Sequence, residues 1–298
     1  MRPPAKNSDY DLPLSSYPAE EKGVQGAFLQ YKSSFIHYLC FGTGKKILFA
    51  FHGYNENALS LLVLEKSLGA KYTVIAPDIP YHGKTEWKEE NHFNTDDFIA
   101  IVRLFISENV LHPAEKIERF SVLGFSMGGK CALYVAHAYT DKIDELFLLA
   151  SDGIRTNKVY NVAVYPKWGR GIFKTTIRHP TWFFAFINMM NKLKLLSPWL
   201  YKFTYNHMDT KEKRQRLYNT WISMAEFNPD IEKVKEQLNL HDTRVFLFFG
   251  VRDEVIPVQV GDYFADGLRN CTFTRLDRGH YFIDDKLNPI IEEALKAV

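Results

Sequence analysis

Ser126 lies at the centre of Gly124-Phe125-Ser126-Met127-Gly128, a spacing that can present a nucleophilic hydroxyl to a substrate. The apolar run at 120–123 indicates a strand before the serine, and the run at 130–136 indicates a helix after it. Glycines on both sides remove side chains that would collide where strand and helix approach each other. The helix N-terminus can stabilise charge that develops on a carbonyl oxygen under attack. The pentapeptide therefore predicts nucleophilic attack on a carbonyl group.

Two groups further along the chain could activate this serine. Asp253 follows the apolar run 245–250, and His280 follows a weaker strand at 271–276. An imidazole held by a carboxylate can take the serine proton, so the order Ser, Asp, His suits acyl transfer. Asp152 is an alternative acid, because it follows another apolar run whose end borders the same site.

A second oxyanion donor is expected after the apolar run 46–51, which leads into His52-Gly53-Tyr54-Asn55. We expect the backbone N–H of Tyr54 to act together with that of Met127. His52 and His82 are interpreted as structural, with rings that bond nearby backbone and shape the loops beside the site.

Strands and helices alternate along the chain, which predicts an α/β fold with a mostly parallel central sheet and helices on both faces. The catalytic candidates all follow the C-terminal ends of strands, where open α/β sheets place their ligands. An antiparallel opening is expected at 28–41, with further strands at 47–51, 72–76, 120–123, 146–150, 245–249 and 272–276. Helices are expected at 57–68, 94–109, 180–196 and 289–297.

About eighty residues separate the strand ending at Ala150 from the helix near Ile231, far more than an ordinary α/β connection. This predicts a helical cap at 153–232, inserted between the last strands of a core formed by 27–152 and 233–298. Residues 1–26 are rich in proline, serine and charge and are interpreted as a loose N-terminal extension.

The cap carries most of the positive charge. Between Gly153 and Asp230 there are thirteen Lys and Arg against four acidic residues, which gives the segment +9 and the rest of the chain −7 for a total of +2. Such asymmetry favours an anionic substrate, an anionic carrier group or an acidic membrane surface over a neutral partner.

The cap is also aromatic, which favours an apolar acyl pocket. Phe183, Phe184, Ile187 and Met190 recur near helical spacing and are expected to face the catalytic cleft, with Arg155 as a cationic pocket residue. The alternative is that these apolar side chains only hold the cap together.

Five motifs occur in an order that resembles the α/β-hydrolase superfamily. They are His52-Gly53, residues 76–83, residues 124–129, Gly250 with Asp253, and Gly279-His280. The resemblance covers the chain after about residue 30 except the cap, and it favours Asp253 over Asp152 as the triad acid. It implies Ser126, Asp253 and His280 as the catalytic triad. Tyr81 departs from the pattern, since many relatives of this type have glycine there.

Such folds host many reactions, so the resemblance does not fix the substrate. The expected function is hydrolysis of a carboxylic ester or thioester through an acyl-enzyme on Ser126. Carbon–carbon hydrolysis of an anionic diketone-type substrate is the first alternative, and a non-catalytic module that binds lipid or a protein partner is the second.

No cofactor or metal is expected, because the mechanism needs none and three scattered cysteines suit neither a metal site nor a disulfide framework. No nucleic-acid motif accompanies the positive charge. The apolar runs are shorter than a spanning helix or a signal-peptide core requires. The sequence therefore indicates a soluble, cytoplasmic protein, with peripheral membrane contact through the cap left open.

Overall fold

The computed structural model describes residues 24–108, 117–155 and 158–296. Within them, eight strands form one sheet in the order β1-β2-β4-β3-β5-β6-β7-β8. The pairs β1–β2 and β2–β4 are antiparallel, and all other pairs are parallel, as the sequence predicts. The strands are β1 Gln25–Tyr31, β2 Ser34–Phe41, β3 Lys46–Phe51, β4 Tyr72–Pro77, β5 Phe120–Phe125, β6 Ile143–Leu149, β7 Arg244–Gly250 and β8 Cys271–Leu276.

Helices connect these strands. They are α1 Glu65–Leu68, α2 Thr95–Glu108, α3 Met127–Ala138, α4 Lys158–Val164, α5 Lys167–Arg178, α6 Thr181–Lys192, α7 Pro198–Met208, α8 Lys211–Met224, α9 Ile231–Leu240, α10 Val258–Ala265 and α11 Asn288–Lys296. Short 3₁₀ segments occur at Ala58–Leu64, Thr140–Lys142 and Asp285–Leu287. The predicted cap helix at 180–196 is shorter in the structure, where α6 ends at Lys192 and Lys194 adopts a φ of 56°.

The stretch predicted at 57–68 is helical, but most of it is not an α-helix. Ala58–Leu64 forms a 3₁₀ helix, and only the last four residues form α1. The buried residues Ala58, Leu61 and Leu64 recur every three positions, which is the period of a 3₁₀ helix. A short apolar run does not separate that period from the α-helical one.

The sheet is buried on both faces, as expected for parallel strands covered by helices. One face packs against α2, α3, α9 and α10 in a cluster that includes Phe105, Val135 and Phe264. The other face packs against α1 and α11, with Leu68 and Ile291 buried there. The strand ends that carry the candidate residues are thereby fixed on a rigid layer.

Helices α4 to α8 follow β6 and occupy the region where the sequence predicts a helical cap. We call these five helices and the segments that join them the cap. Their own clusters are small: Phe173, Ile177, Met208 and Leu217 form one, and Tyr160, Val164 and Ala225 form the other. Strand β1 begins at Gln25, so the predicted N-terminal extension lies almost wholly outside the described residues. Within the described ranges, no helix combines the length and apolarity that a bilayer span requires.

Candidate active site

Ser126 lies in a strained turn between β5 and α3. Its backbone has φ 50° and ψ −119°, and its N–H donates to the carbonyl of Leu149 at 3.0 Å. A Cβ atom on Gly124 would lie 2.4 Å from the carbonyl oxygen of Gly128, and one on Gly128 would lie 2.1 Å from that of Phe51. Both flanking positions therefore require glycine for the steric reason that the sequence indicates, and the turn holds the serine at the N-terminus of α3.

Hydrogen bonds join Ser126 to His280 and His280 to Asp253. Ser126 Oγ lies 2.9 Å from His280 Nε2, and His280 Nδ1 lies 2.7 Å from Asp253 Oδ2. A carboxylate can only accept, so Nδ1 carries the proton and Nε2 is left to accept from the serine hydroxyl. The geometry suits transfer of the serine proton to the imidazole.

Asp253 is held from its other side. Its side chain is fully buried, and Oδ1 accepts the backbone N–H groups of Val255 at 2.7 Å and Ile256 at 2.9 Å. Its neighbour Arg252 pairs with Asp277 at 2.9 Å instead. The loop after β7 therefore fixes the carboxylate that orients His280.

Asp152, the alternative acid, has different partners. Its Oδ1 accepts the N–H of Gly153 at 2.7 Å, and its Oδ2 lies 3.9 Å from the Nζ of Lys130. It lines the cavity beside Ser126. The structure thus brings Asp253, and not Asp152, to His280.

Tyr54 and Met127, whose backbone N–H groups are the expected oxyanion donors, both border the cavity beside Ser126. The loop that carries Tyr54 is fixed by His52, which is fully buried. His52 Nε2 accepts the N–H of Ile79 at 3.0 Å, so its Nδ1–H donates to the carbonyl of Gly53 at 2.8 Å. The structural interpretation of His52 is confirmed.

Glu56 supports the same loop, and sequence reasoning did not identify it. Its Oε2 accepts the N–H of Gly53 and the hydroxyl of Ser60, each at 3.1 Å. Burial raises the pKa of this carboxyl from its ordinary 4.5 to about 7, because desolvation disfavours the charged form. The spacing of three residues from Gly53 is the only sequence signal that could have indicated its role.

Tyr81 stands where many relatives have glycine, and its backbone conformation is one that glycine favours. Its φ is 73°, in the left-handed region that favours glycine. The hydroxyl of Tyr81 accepts the N–H of Phe93 at 3.0 Å, and its ring packs against the main core. The neighbouring His82 donates through Nδ1 to the carbonyl of Pro80 at 3.1 Å, and burial lowers the pKa of its ring to about 3. His82 is thus a neutral structural residue.

A cavity of about 510 Å³ opens beside Ser126 and lies mostly between the core and the cap. Its wall is largely apolar. The lining side chains are Tyr54, Met127, Val159, Tyr160, Leu200, Phe203, Thr220, Trp221, Met224, Val255, Ile256, Pro257 and Val260, with Ser126, Asp152, Arg155, Ser197 and Glu254 as further polar members.

The predicted pocket is largely wrong in its residues. Of the five predicted members, Arg155 is the only one among the described residues that line this cavity. Phe183 and Phe184 pack inside the cap against the Phe173 cluster, Ile187 is buried, and Met190 is half-buried. Helical spacing identifies an apolar face but not the neighbour it packs against.

Most of the lining comes from α4, α7, α8 and the loop after β7. Val255, Ile256 and Pro257 could have been found, because they lie two to four residues after Asp253 in the chain. The residues of α7 and α8 carried no such signal, since only the folded cap places them over Ser126.

Charge at the cavity is mixed rather than cationic. Asp152 and Glu254 line it together with Arg155, whose guanidinium stacks 4.0 Å from the ring centre of Tyr263. The basic residues of α5 and α6, such as Lys174 and Lys192, are exposed instead. Among the described residues, no group of three His, Cys, Asp or Glu side chains is placed to hold a metal ion.

Comparison with known families agrees with the observed sheet. The family model described as the α/β hydrolase fold matches residues 46–287, which is most of the chain. This chain belongs to the α/β-hydrolase family. Among solved structures, this α/β-hydrolase is similar to a thermophilic esterase from Thermogutta terrifontis, with a TM-score of 0.64 and 16% identity over 92% of this chain and 98% of that one. That likeness shows the shared fold.

The curated relatives of this chain are distant. A 2-hydroxy-6-oxononadienedioate/2-hydroxy-6-oxononatrienedioate hydrolase from Paraburkholderia phymatum is 25% identical over 83% of this chain and 84% of its own length. An uncharacterized protein of Mycobacterium tuberculosis is 30% identical over 42% of this chain, and the match spans about a third of that relative, 35% of its length.

Proposed function

We propose that this α/β-hydrolase cleaves carboxylic esters or thioesters through an acyl-enzyme on Ser126. The observation that carries the proposal is the hydrogen-bonded series Ser126, His280 and Asp253 at the edge of a largely apolar cavity. The series supplies an activated nucleophile, and the cavity supplies space for an acyl chain.

The proposed reaction has two halves. His280 Nε2 takes the proton from Ser126 as Oγ forms a bond to the carbonyl carbon, and Asp253 stabilises the resulting imidazolium. The tetrahedral intermediate then collapses, the carbon–oxygen or carbon–sulfur bond breaks, and His280 gives its proton to the leaving alcohol or thiol. Water, deprotonated by His280, attacks the acyl-enzyme, and the serine recovers its proton as the acid leaves.

The N–H groups of Tyr54 and Met127 are proposed to stabilise the oxyanion in both halves. One such donor contributes about 3 kcal/mol of transition-state stabilisation where it has been removed from other enzymes. Glu56 and His52 act indirectly. His52 donates to the Gly53 carbonyl, which belongs to the same peptide group as the Tyr54 N–H, and Glu56 accepts the N–H of Gly53.

Carbon–carbon hydrolysis is the second candidate, supported by the Paraburkholderia phymatum relative and by Arg155 in the cavity. Asp152 and Glu254 weigh against it, because two carboxylates beside one guanidinium give a poor site for a dianionic substrate. Esters with neutral acyl chains fit this balance of charge better.

The test is turnover of nitrophenyl esters of increasing acyl length by the wild-type protein, by Ser126→Ala and by Ser107→Ala. Ser107 is an exposed serine on α2 and controls for substitution as such. We expect turnover by the wild type and Ser107→Ala, and a loss of at least about 10⁴-fold in Ser126→Ala.

Other outcomes would redirect the proposal. If no ester is turned over but a phosphonate probe still labels Ser126, the nucleophile serves another bond, and carbon–carbon hydrolysis becomes the better candidate. If neither turnover nor labelling occurs, the hydrolase proposal is wrong and a binding role replaces it.

A further inference from the structure

The outer face of α6 carries a row of exposed apolar side chains. Trp182 and Phe186 are each 46% exposed, Met189 is 51% exposed and Leu193, directly after the helix, is 58% exposed. Their spacing of three or four residues places them on one side of the helix. We call these four residues the cap stripe.

The opposite side of α6 accounts for the packing of the cap. Phe183 and Phe184 contact the Phe173 cluster, and Ile187 is buried. The cap stripe therefore lies outside the cap's own core, and α6 is apolar on both sides. A helix with two apolar faces at the surface of a protein has a second face available for a partner.

The charge around the cap stripe indicates what that partner is. From Gly153 to Met208 the sequence contains nine Lys and Arg and no acidic residue. Lys192 and Lys194 flank the end of the stripe and are exposed, and so are Lys174 and Arg178 on the preceding helix α5. The partner must therefore offer an apolar phase together with negative charge.

We propose that the cap docks through the cap stripe on the surface of an anionic phospholipid bilayer. Tryptophan, phenylalanine and leucine side chains on one helix face can enter the headgroup boundary while lysines remain at the anionic surface. Exposed Trp168 and Ile172 on α5 give that helix the same combination of apolar and basic side chains.

Other occupants fit less well. A second copy of this chain would bring two basic surfaces together, and like charges oppose such contact. Nucleic acid would match the charge, but a phosphate backbone offers no phase in which four apolar side chains can be buried. Docking is also independent of the proposed reaction, because none of the four residues of the cap stripe lines the cavity beside Ser126.

The first experiment is co-sedimentation with vesicles of phosphatidylcholine and with vesicles of an equimolar mixture of phosphatidylcholine and phosphatidylglycerol. We expect the wild type to bind the mixed vesicles at least about tenfold more tightly than the neutral ones, and to lose that preference in high salt. Ser126→Ala should bind like the wild type, which separates docking from catalysis.

A triple variant and a control variant test whether the cap stripe contacts the bilayer. The triple substitution Trp182→Gln, Phe186→Gln and Met189→Gln should weaken binding to the mixed vesicles at least about tenfold. The control replaces two exposed apolar residues outside the cap, Phe28→Gln and Leu240→Gln, and should leave binding unchanged.

A double charge-reversal variant tests the contribution of the lysines beside the cap stripe. Lys192→Glu with Lys194→Glu should weaken binding at least about tenfold, since each lysine near an anionic surface contributes about fivefold. Lys45→Glu with Lys286→Glu, two exposed lysines of the core, is the control. Thermal melting of every variant checks that the fold is retained.

The proposal is overturned if the wild type binds neither vesicle, if it binds both equally, or if the triple variant binds as the wild type does. It is also overturned if the triple variant instead abolishes a concentration-dependent dimer seen by sedimentation, because the cap stripe would then contact a second copy.

Discussion

The core and the cap are both rich in aromatic residues, but the two regions use them differently. In the core, Phe147 and Phe246 stack at 4.7 Å between ring centres and are fully buried. In the cap, Trp168 is 63% exposed and Trp182 is 46% exposed. Similar residue types are therefore buried in one region and partly left at the surface in the other, so composition alone does not reveal their role.

Charge follows the same division. Glu145 is fully buried in the core, where it contacts Lys71 at 2.7 Å and also Arg244. The basic residues of the cap, such as Lys174 and Lys192, are exposed and have few acidic residues near them in sequence. A buried charge needs a partner inside the fold, whereas an exposed excess of one sign acts on molecules outside it.

The largest expected effect concerns the carboxylate that the core supplies to His280. Asp253→Asn should keep the bonds from Val255 and Ile256 but present the wrong partner to Nδ1, so we expect kcat to fall by about 10⁴-fold. Asp152→Asn, at the junction with the cap, should change kcat less than about threefold. Ester kinetics check both. Equal losses would show that Asp253 does not have the proposed role.

The next prediction compares a glycine in close backbone contact in the core with a glycine in open space in the cap. Gly128→Ala would place Cβ 2.1 Å from the Phe51 carbonyl oxygen, and we expect it to lower the free energy of unfolding by at least about 3 kcal/mol. Gly171→Ala in α5 meets no atom within 4 Å and should raise that free energy by about 0.5–1 kcal/mol. Urea denaturation measures both, and shifts of the same sign would contradict the comparison.

A third prediction concerns Glu56, whose pKa burial raises to about 7. Between about 4.5 and 7 the folded protein binds more protons at this site than the unfolded chain, so the stabilising contribution of Glu56 is lost as pH rises through that range. Glu56→Gln keeps an oxygen acceptor for Gly53 and cannot ionise. We therefore expect the free energy of unfolding of the variant, relative to that of the wild type, to rise by on the order of 3 kcal/mol as the pH increases across this range.

The measurement is denaturant unfolding at a series of pH values. Glu293→Gln, an exposed glutamate on α11, serves as the control and should follow the wild type. A parallel pH dependence of Glu56→Gln and the wild type would mean that Glu56 does not titrate in this range.

The smallest expected effect tests which cap residues face the substrate. Leu200 lines the cavity, so Leu200→Phe should lower kcat/KM for long-chain esters about tenfold and leave acetate esters nearly unchanged. Phe184→Leu, inside the cap, should leave the chain-length profile unchanged. A profile shifted by Phe184→Leu and not by Leu200→Phe would place the acyl chain against α6.

Prediction from sequence succeeded where a local pattern was sufficient. The strands predicted at 47–51, 120–123 and 245–249 are largely apolar runs, and such runs are typical of parallel strands buried on both faces. The structure has strands at 46–51, 120–125 and 244–250. Gly124 and Gly128 indicated the sharp turn at Ser126, because few other residues fit where backbone atoms approach so closely. The helical character of the cap region also followed from its length and periodicity.

The pocket could not be predicted in this way. Phe183 and Ile187 have the periodicity of a buried helix face, but α6 directs that face into the cap, while Leu200 and Trp221 from later helices reach the cavity. Glu56 was missed for a related reason, since its residue type is that of an ordinary surface glutamate and only the fold buries it.

The sequence by itself determined the order of strands and helices, the turn that presents Ser126, and the excess of positive charge in the cap. These features depend on residues close together in the chain. Only the tertiary structure decided that Asp253 contacts His280, which residues line the cavity, and that the basic side chains of α5 and α6 face outward. Those features depend on how helices and strand ends pack, and such packing involves residues far apart in sequence.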